Sequence, residues 1–255
     1  MSREKIEGCL FGLACGDALG ADTEFINLKG ILEQFPPDGP LSPPGNPAKV
    51  TDDTQMTLAL GRGLLNAEKP FSASTLNDPI QQAFIDWYND DENNRAPGNT
   101  CLEGCENLLA GKTWVDAGNI SSKGCGANMR VAPVGLLLNE SDETRAAIAQ
   151  FQSAFTHAHA TAMAAADLTA YIVHYLATGG VARNVLQDAK LYARSQRHVY
   201  HEAWLGNLWE RAYMMRDARE FIAHGWNECL DALQRVSEAP RTLAYNDDPC
   251  TYTGQ

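Results

Sequence analysis

The chain has 255 residues, of which 44% are apolar and 20% charged, with a formal net charge of −12. That length and balance suit a globular chain with one substantial core. The negative charge argues against non-specific binding to nucleic acid or to anionic membrane, and neither a signal-peptide pattern nor an apolar run of transmembrane length is present.

Residues 4–19 read as a helix with Ile6, Leu10, Leu13 and Ala14 on one face. Gly8, Gly12, Gly16 and Gly20 form a second stripe. Each glycine costs a helix about 1 kcal/mol relative to alanine. The stripe therefore predicts a closely approaching helix or ligand, with Gly20 as an alternative left-handed cap. Asp17 lies inside it, and Glu24 follows shortly after.

Residues 34–50 hold six of the twelve prolines and read as a loop. That loop delivers the chain to Thr51-Asp52-Asp53-Thr54, after which a helix is predicted to about Asn66. Adjacent carboxylates repel unless a cation or hydrogen-bond donors relieve them. Two readings of the cluster stand side by side. It is a helix cap, because Asp and Thr cap well and negative charge suits a first turn. Or it is a set of oxygen ligands for a hard divalent cation.

Pro79 is placed in the first turn of the next helix, with Ile80, Phe84, Trp87 and Tyr88 on its apolar side. A polar loop covers 90–99, and a short helix runs from Thr100 to Ala110 and stops at Gly111. Cys101 and Cys105, one turn apart, read as small buried side chains. Residues 116–128 are rich in Gly, Ser and Asn, a composition that can turn several N–H groups toward an anion but matches no standard phosphate-loop pattern. An apolar run from Met129 to Leu138 follows, interrupted by Arg130, Pro133 and Gly135. Helices are predicted over 142–155, 159–177, 181–194 and 217–236. Strand signals are sparse, and no linker divides the chain. The expectation is one compact all-α domain, a helical bundle spanning 1–255.

Other chemistries find little support. His157 and His159 are two residues apart, point in different directions on a helix, and lack a third zinc ligand at suitable spacing. His157 is read as packing or capping at a helix entrance. No Gly-x-Ser-x-Gly elbow is present, and Cys125 reads as a small side chain in a tight loop. The seven cysteines include no Cys-x-x-Cys pair and suit a reducing cytoplasm. Asn246-Asp247-Asp248-Pro249 reads as a late acidic turn.

Taken in order, several blocks resemble the ADP-ribosylglycohydrolase family. They are Gly8 to Gly20, Glu24-Phe25, Thr51 to Met56, Gly98-Asn99-Thr100, Gly124 to Pro133, and Thr156-His157. The resemblance implies an all-α fold with a two-magnesium cluster, for which Mn2+ can substitute, in a cleft that takes ADP-ribose. It implies that Thr51, Asp52 and Asp53 supply half of the metal ligands. Gly124, Cys125, Gly126 and Asn128 would hold the diphosphate, His157 would line the ribose side, and Glu24 would sit near the scissile bond. Catalysis would fall to Asp52, Asp53 or Glu24. The implied partner is a protein ADP-ribosylated at arginine, and the implied state is a cytoplasmic monomer. The family's other metal half, a Gly-Asp-x-Asp-Thr motif near the C-terminus, does not occur within the 255 residues. Cys250 to Gln255 look like the region that precedes it, so the domain is expected to be incomplete at its C-terminus. A non-catalytic ADP-ribose-binding module or an inactive scaffold is the alternative.

Overall fold

The computed structural model describes residues 1–238. The acidic turn at 246–249 and the segment 250–255 lie outside the described residues. Among those described, helices and turns make up the fold, and no strand forms. Gly45 with Ala48, and Asn119 with His157, make isolated bridges.

The helices are α1 (Arg3–Gly20), α2 (Leu28–Gln34), α3 (Asp52–Asn66), α4 (Ala73–Tyr88), α5 (Asn99–Leu109), α6 (Trp114–Ala117), α7 (Gly126–Met129), α8 (Ala132–Gly135), α9 (Asp142–Ala154), α10 (Ala160–Ala177), α11 (Val185–Gln196), α12 (Glu202–Leu205) and α13 (Ala218–Glu238), with short 3₁₀ turns at Ala182–Asn184 and Leu208–Arg211. The long helices fall where the apolar periodicity predicts them. The short α2 and α12 were not anticipated, because one or two turns carry too little periodicity to be read.

Helix α10 is central, with α9 and α13 packed against it, while α3 packs on α4. Met56, Leu60, Leu76, Ile80, Phe84, Ile148, Phe151, Phe155 and Met163 are fully buried at the meeting of these helices. Phe155 makes edge-to-face contacts with Phe84 and Phe151, with ring centroids 5.9 and 5.2 Å away. Leu168, Ala189, Ala193, Ile222, Trp226 and Cys229 form a second core between α10, α11 and α13.

Three expectations are corrected. Pro79 is not in a first turn but deep inside α4. The helix begins six residues earlier, where Ser72 and Thr75 form a reciprocal capping box and Leu76 is buried. At this point α3 comes close, since a Cβ on Gly63 would lie 3.1 Å from the Ile80 Cα and 3.2 Å from the Pro79 carbonyl. Gly20 does not cap α1, because Ala21 continues in right-handed geometry. Finally, no helix packs closely on the glycine stripe of α1 among the described residues, for a Cβ at Gly8, Gly12, Gly16 or Gly20 would touch nothing within 4 Å, while Gly16 and Gly20 line an open pocket. Of α1, only Ala18 is buried.

Candidate active site

The amino terminus of α3 is organised from a distance. Thr51 is its N-cap, and its hydroxyl accepts a long bond, 3.4 Å, from the Asp53 N–H. The stronger acceptor is Asp17 on α1. Its carboxylate receives the Thr51 N–H at 2.9 Å, the Thr54 N–H at 3.1 Å and both threonine hydroxyls at 2.5 Å. These are charge-assisted bonds to donors that an isolated helix leaves unsatisfied. The capping reading of the Thr-Asp-Asp-Thr cluster is therefore half right. Capping occurs, but Asp52 and Asp53 are the first two helical residues and do not supply it. Asp17 was not singled out from sequence. The available signal was a charged residue in an otherwise bare glycine stripe.

Relieved of capping, the aspartates face other groups. Asp52 is buried and accepts the Gly98 N–H at 3.1 Å, while its own N–H donates to the Arg95 carbonyl. Burial pushes its carboxyl up to about 6, against the lowering effect of the Gly98 bond, with the charges of Glu24 and Asp17 adding to the rise. Burial, then the charges of Asp52, Asp17 and Glu24, push Asp53 up to about 7. Glu24 is raised as well, by burial and by Asp17. Asp17, Glu24 and Asp53 line one pocket of about 360 Å³, together with Leu13, Thr23 and Met129. The cleft thus gathers mutually repelling carboxylates from α1, the turn after it and α3.

The glycine-rich segment reaches the same place from the other side. The Thr57 hydroxyl on α3 donates mainly to the Asp53 carbonyl, at 2.8 Å, and lies 3.3 Å from the carbonyl of Met129, the last residue of α7. Buried Cys101 marks the junction. A Cβ on Gly98 would lie 4.0 Å from both its Sγ and Asp52 Oδ2, and one on Gly126 would lie 2.5 Å from its Sγ. His157 packs beneath the turn, and a Cβ on Gly126 would come within 2.6 Å of its Cε1. Only glycine lets that backbone sit so close. His157 packs rather than caps. The cap of α10 is His159, whose Nδ1 accepts the Thr161 N–H at 3.1 Å. Burial, then the charge of Arg130, push the His157 imidazole down to about 3.

Arg130 is a residue that sequence reasoning passed over, visible only as a lone charge in an apolar run. It is fully buried, gives Nε and Nη2 to the side-chain and backbone oxygens of Gln152 at 2.7 Å each, and lies over the Phe84 ring at 4.3 Å. The other members of the predicted set are nearby. Cys125 is exposed at the start of α7. Asn128 carries a buried side-chain oxygen that has no hydrogen-bond partner. Lys123 ties the segment to α13 through Glu228 at 2.5 Å, and Glu228 also accepts the Thr161 hydroxyl at 2.5 Å.

The donor set suits a hard cation in kind. Thr51, Asp52 and Asp53 offer oxygens on one turn, and the raised carboxylates signal negative charge in want of compensation. In number it is short. Among the described residues, no three His, Cys, Asp or Glu side chains converge to hold an ion.

Residues 1–244 match the family described as ADP-ribosylglycohydrolase. The chain belongs to this family. Within the ADP-ribosylglycohydrolases it is 30% identical over 224 residues to ADP-ribosyl-[dinitrogen reductase] glycohydrolase of Rhodospirillum rubrum, a match covering 85% of this chain and 72% of that protein. It is 30% identical over 186 residues to ADP-ribosylarginine hydrolase Tri1 of Serratia proteamaculans, covering 70% of this chain and 49% of that protein. An uncharacterised Archaeoglobus fulgidus protein is 30% identical over 174 residues, covering 67% and 55% of the two chains. The chain spans about half the length of the last two relatives. The all-α architecture agrees with the family expectation, and no helix among the described residues is long and apolar enough to cross a membrane.

Proposed function

We propose that this chain carries an ADP-ribose-binding, carboxylate-lined site that hydrolyses the N-glycosidic bond between ADP-ribose and a protein arginine. One observation supports this above the rest. Three carboxylates, of Asp17, Glu24 and Asp53, line one pocket with Met129, Asp52 lies buried on the same turn as Asp53, and Glu24, Asp52 and Asp53 are pushed toward neutrality. Such a charge arrangement is costly for structure alone and suits a site for cationic or metal-assisted chemistry.

In this reading the turn holds the diphosphate through its backbone N–H groups, which places the anomeric carbon over the carboxylates. A carboxylate among Glu24, Asp52 and Asp53 takes a proton from the attacking water as the carbon–nitrogen bond breaks, or stabilises positive charge developing on the sugar. The departing guanidine is a strong base, and the proton the carboxylate takes from water passes to its nitrogen, which completes the balance. Thr51, Asp52 and Asp53 would hold magnesium, or manganese in its place, which when bound supplies Lewis-acid polarisation of sugar hydroxyls or water. Asp17 holds those three residues on one rigid turn.

A second reading is favoured because, among the described residues, no three His, Cys, Asp or Glu side chains converge to hold an ion. The chain then binds ADP-ribose or an ADP-ribosylated protein without cleaving it. Incubating the chain with ADP-ribosylated arginine, with and without magnesium, separates the two. The hydrolase releases free ADP-ribose, and Asp52→Ala or Asp53→Ala abolishes the metal-dependent part. Calorimetric binding of ADP-ribose without release supports the module. Turnover that survives both substitutions removes the metal assignment of Asp52 and Asp53.

A further inference from the structure

We infer that Arg130 and Thr156 are positioning residues that hold His157 as its Nε2–H tautomer beneath the Gly124–Gly126 turn. The argument is one of hydrogen-bond direction. A guanidinium only donates, and Arg130 Nη2 lies 2.9 Å from Thr156 Oγ1, so that oxygen is the acceptor. Thr156 is fully buried, so bulk water does not take its hydroxyl proton. The remaining neighbour is His157 Nδ1, 2.9 Å away. The hydroxyl oxygen, its proton and Nδ1 are all paired when the hydroxyl donates to Nδ1, which leaves the ring proton on Nε2. The reverse arrangement, Nδ1–H donating to Thr156, would strand a buried hydroxyl proton.

Position then gives the tautomer a role. A Cβ on either Gly124 or Gly126 would lie 3.1 Å from Nε2, so this nitrogen faces the turn from below. The backbone of His157 is clamped as well. Its carbonyl accepts the Ser153 hydroxyl at 2.7 Å, and its N–H donates to the Ser153 carbonyl at 2.7 Å. The nearby Arg130 charge disfavours a second cation on the ring, in line with the lowered imidazole. The floor of the turn thus presents a fixed, uncharged N–H donor. His157 is then no acid or base in the reaction. It supports the turn, and Arg130 and Thr156 act through it.

The consequence for ligand affinity rests on the proposed diphosphate role of the turn, whereas the tautomer does not. Long-range proton–nitrogen NMR of the full chain, labelled with ¹⁵N-histidine, reads the tautomer with no ligand present. His157→Gln assigns the signals by their loss. The expected result is a pyrrole-type Nε2 and a pyridine-type Nδ1 for His157 between pH 5 and 8. Thr156→Val is expected to produce a mixed tautomer and to weaken ADP-ribose binding by about 3- to 10-fold, the loss of one neutral hydrogen bond. Thr156→Ser, which keeps the hydroxyl, should behave as wild type. A protonated Nδ1 or an imidazolium in the wild type overturns the inference, as does a Val variant with an unchanged nitrogen spectrum. Failure of the wild type to bind ADP-ribose would overturn the diphosphate reading of the turn, while the spectrum still decides the tautomer.

Discussion

The carboxylate of Asp17 receives both the backbone N–H and the hydroxyl of Thr51, at 2.9 and 2.5 Å. A side chain from α1 therefore sets the first turn of α3, and with it the direction of Asp52 and Asp53. Capping by a distant carboxylate leaves Asp53 free to line the cleft and Asp52 free to accept the Gly98 N–H.

Asp17→Ala should lower unfolding stability by about 1–3 kcal/mol, because four donors around the start of α3 lose a charged acceptor. Urea titration measures it. A midpoint equal to wild type would mean that water or Thr51 caps α3 equally well.

Without divalent cation, stability should fall as pH rises from about 4 to about 7. Asp52 and Asp53 titrate in the folded chain near 6 and 7, above the ordinary carboxylate value near 4. The folded state therefore keeps protons that the unfolded chain has released, and deprotonation in this window favours unfolding. Thermal melts in a chelating buffer across pH 4–8 test the slope, which should be shallower in Asp53→Asn. Added magnesium should flatten it if the pair binds the ion.

Two glycine-to-alanine changes should have opposite signs. Gly126→Ala puts a methyl 2.5 Å from Cys101 Sγ and 2.6 Å from His157 Cε1, an overpacking expected to cost about 1–3 kcal/mol and to displace the turn. Gly12→Ala meets nothing within 4 Å on an exposed helix and should stabilise by about 0.5–1 kcal/mol. Melting curves of both variants, measured side by side, check the pair.

Arg130→Lys should be destabilising by about 2 kcal/mol or more despite keeping the charge. An ammonium cannot reproduce the fork that reaches Gln152 Oε1, the Gln152 carbonyl and Thr156 together, nor the stacking over Phe84. Chemical denaturation gives the size, and a variant as stable as wild type would show that the fork contributes little.

Much of the architecture is local information. The spacing of Met56, Leu60 and Leu64, or of Ile80, Phe84 and Trp87, is a helix face, and a face must be covered. Pro79 was misplaced because a proline's own preference points to a first turn, while the Ser72–Thr75 box and buried Leu76 begin the helix earlier. Of the candidate site, the ordered blocks carried the residue types, and the fold brings Glu24 and Asp53 to one pocket with Asp17 and Met129, while the Gly124–Gly126 turn packs on Cys101 and His157.

By itself the sequence determined most of the long helices and the family. The tertiary structure alone decided which acid caps and which acids face the cleft, and that a buried Arg130 stands behind His157. The reason is physical. Helix periodicity is written within a few residues, whereas Asp17 and Thr51 are 34 positions apart and Arg130 and Thr156 are 26 apart. Pairings over such separations form only when packed helices bring the groups within 3 Å and shut out the water that would otherwise satisfy them.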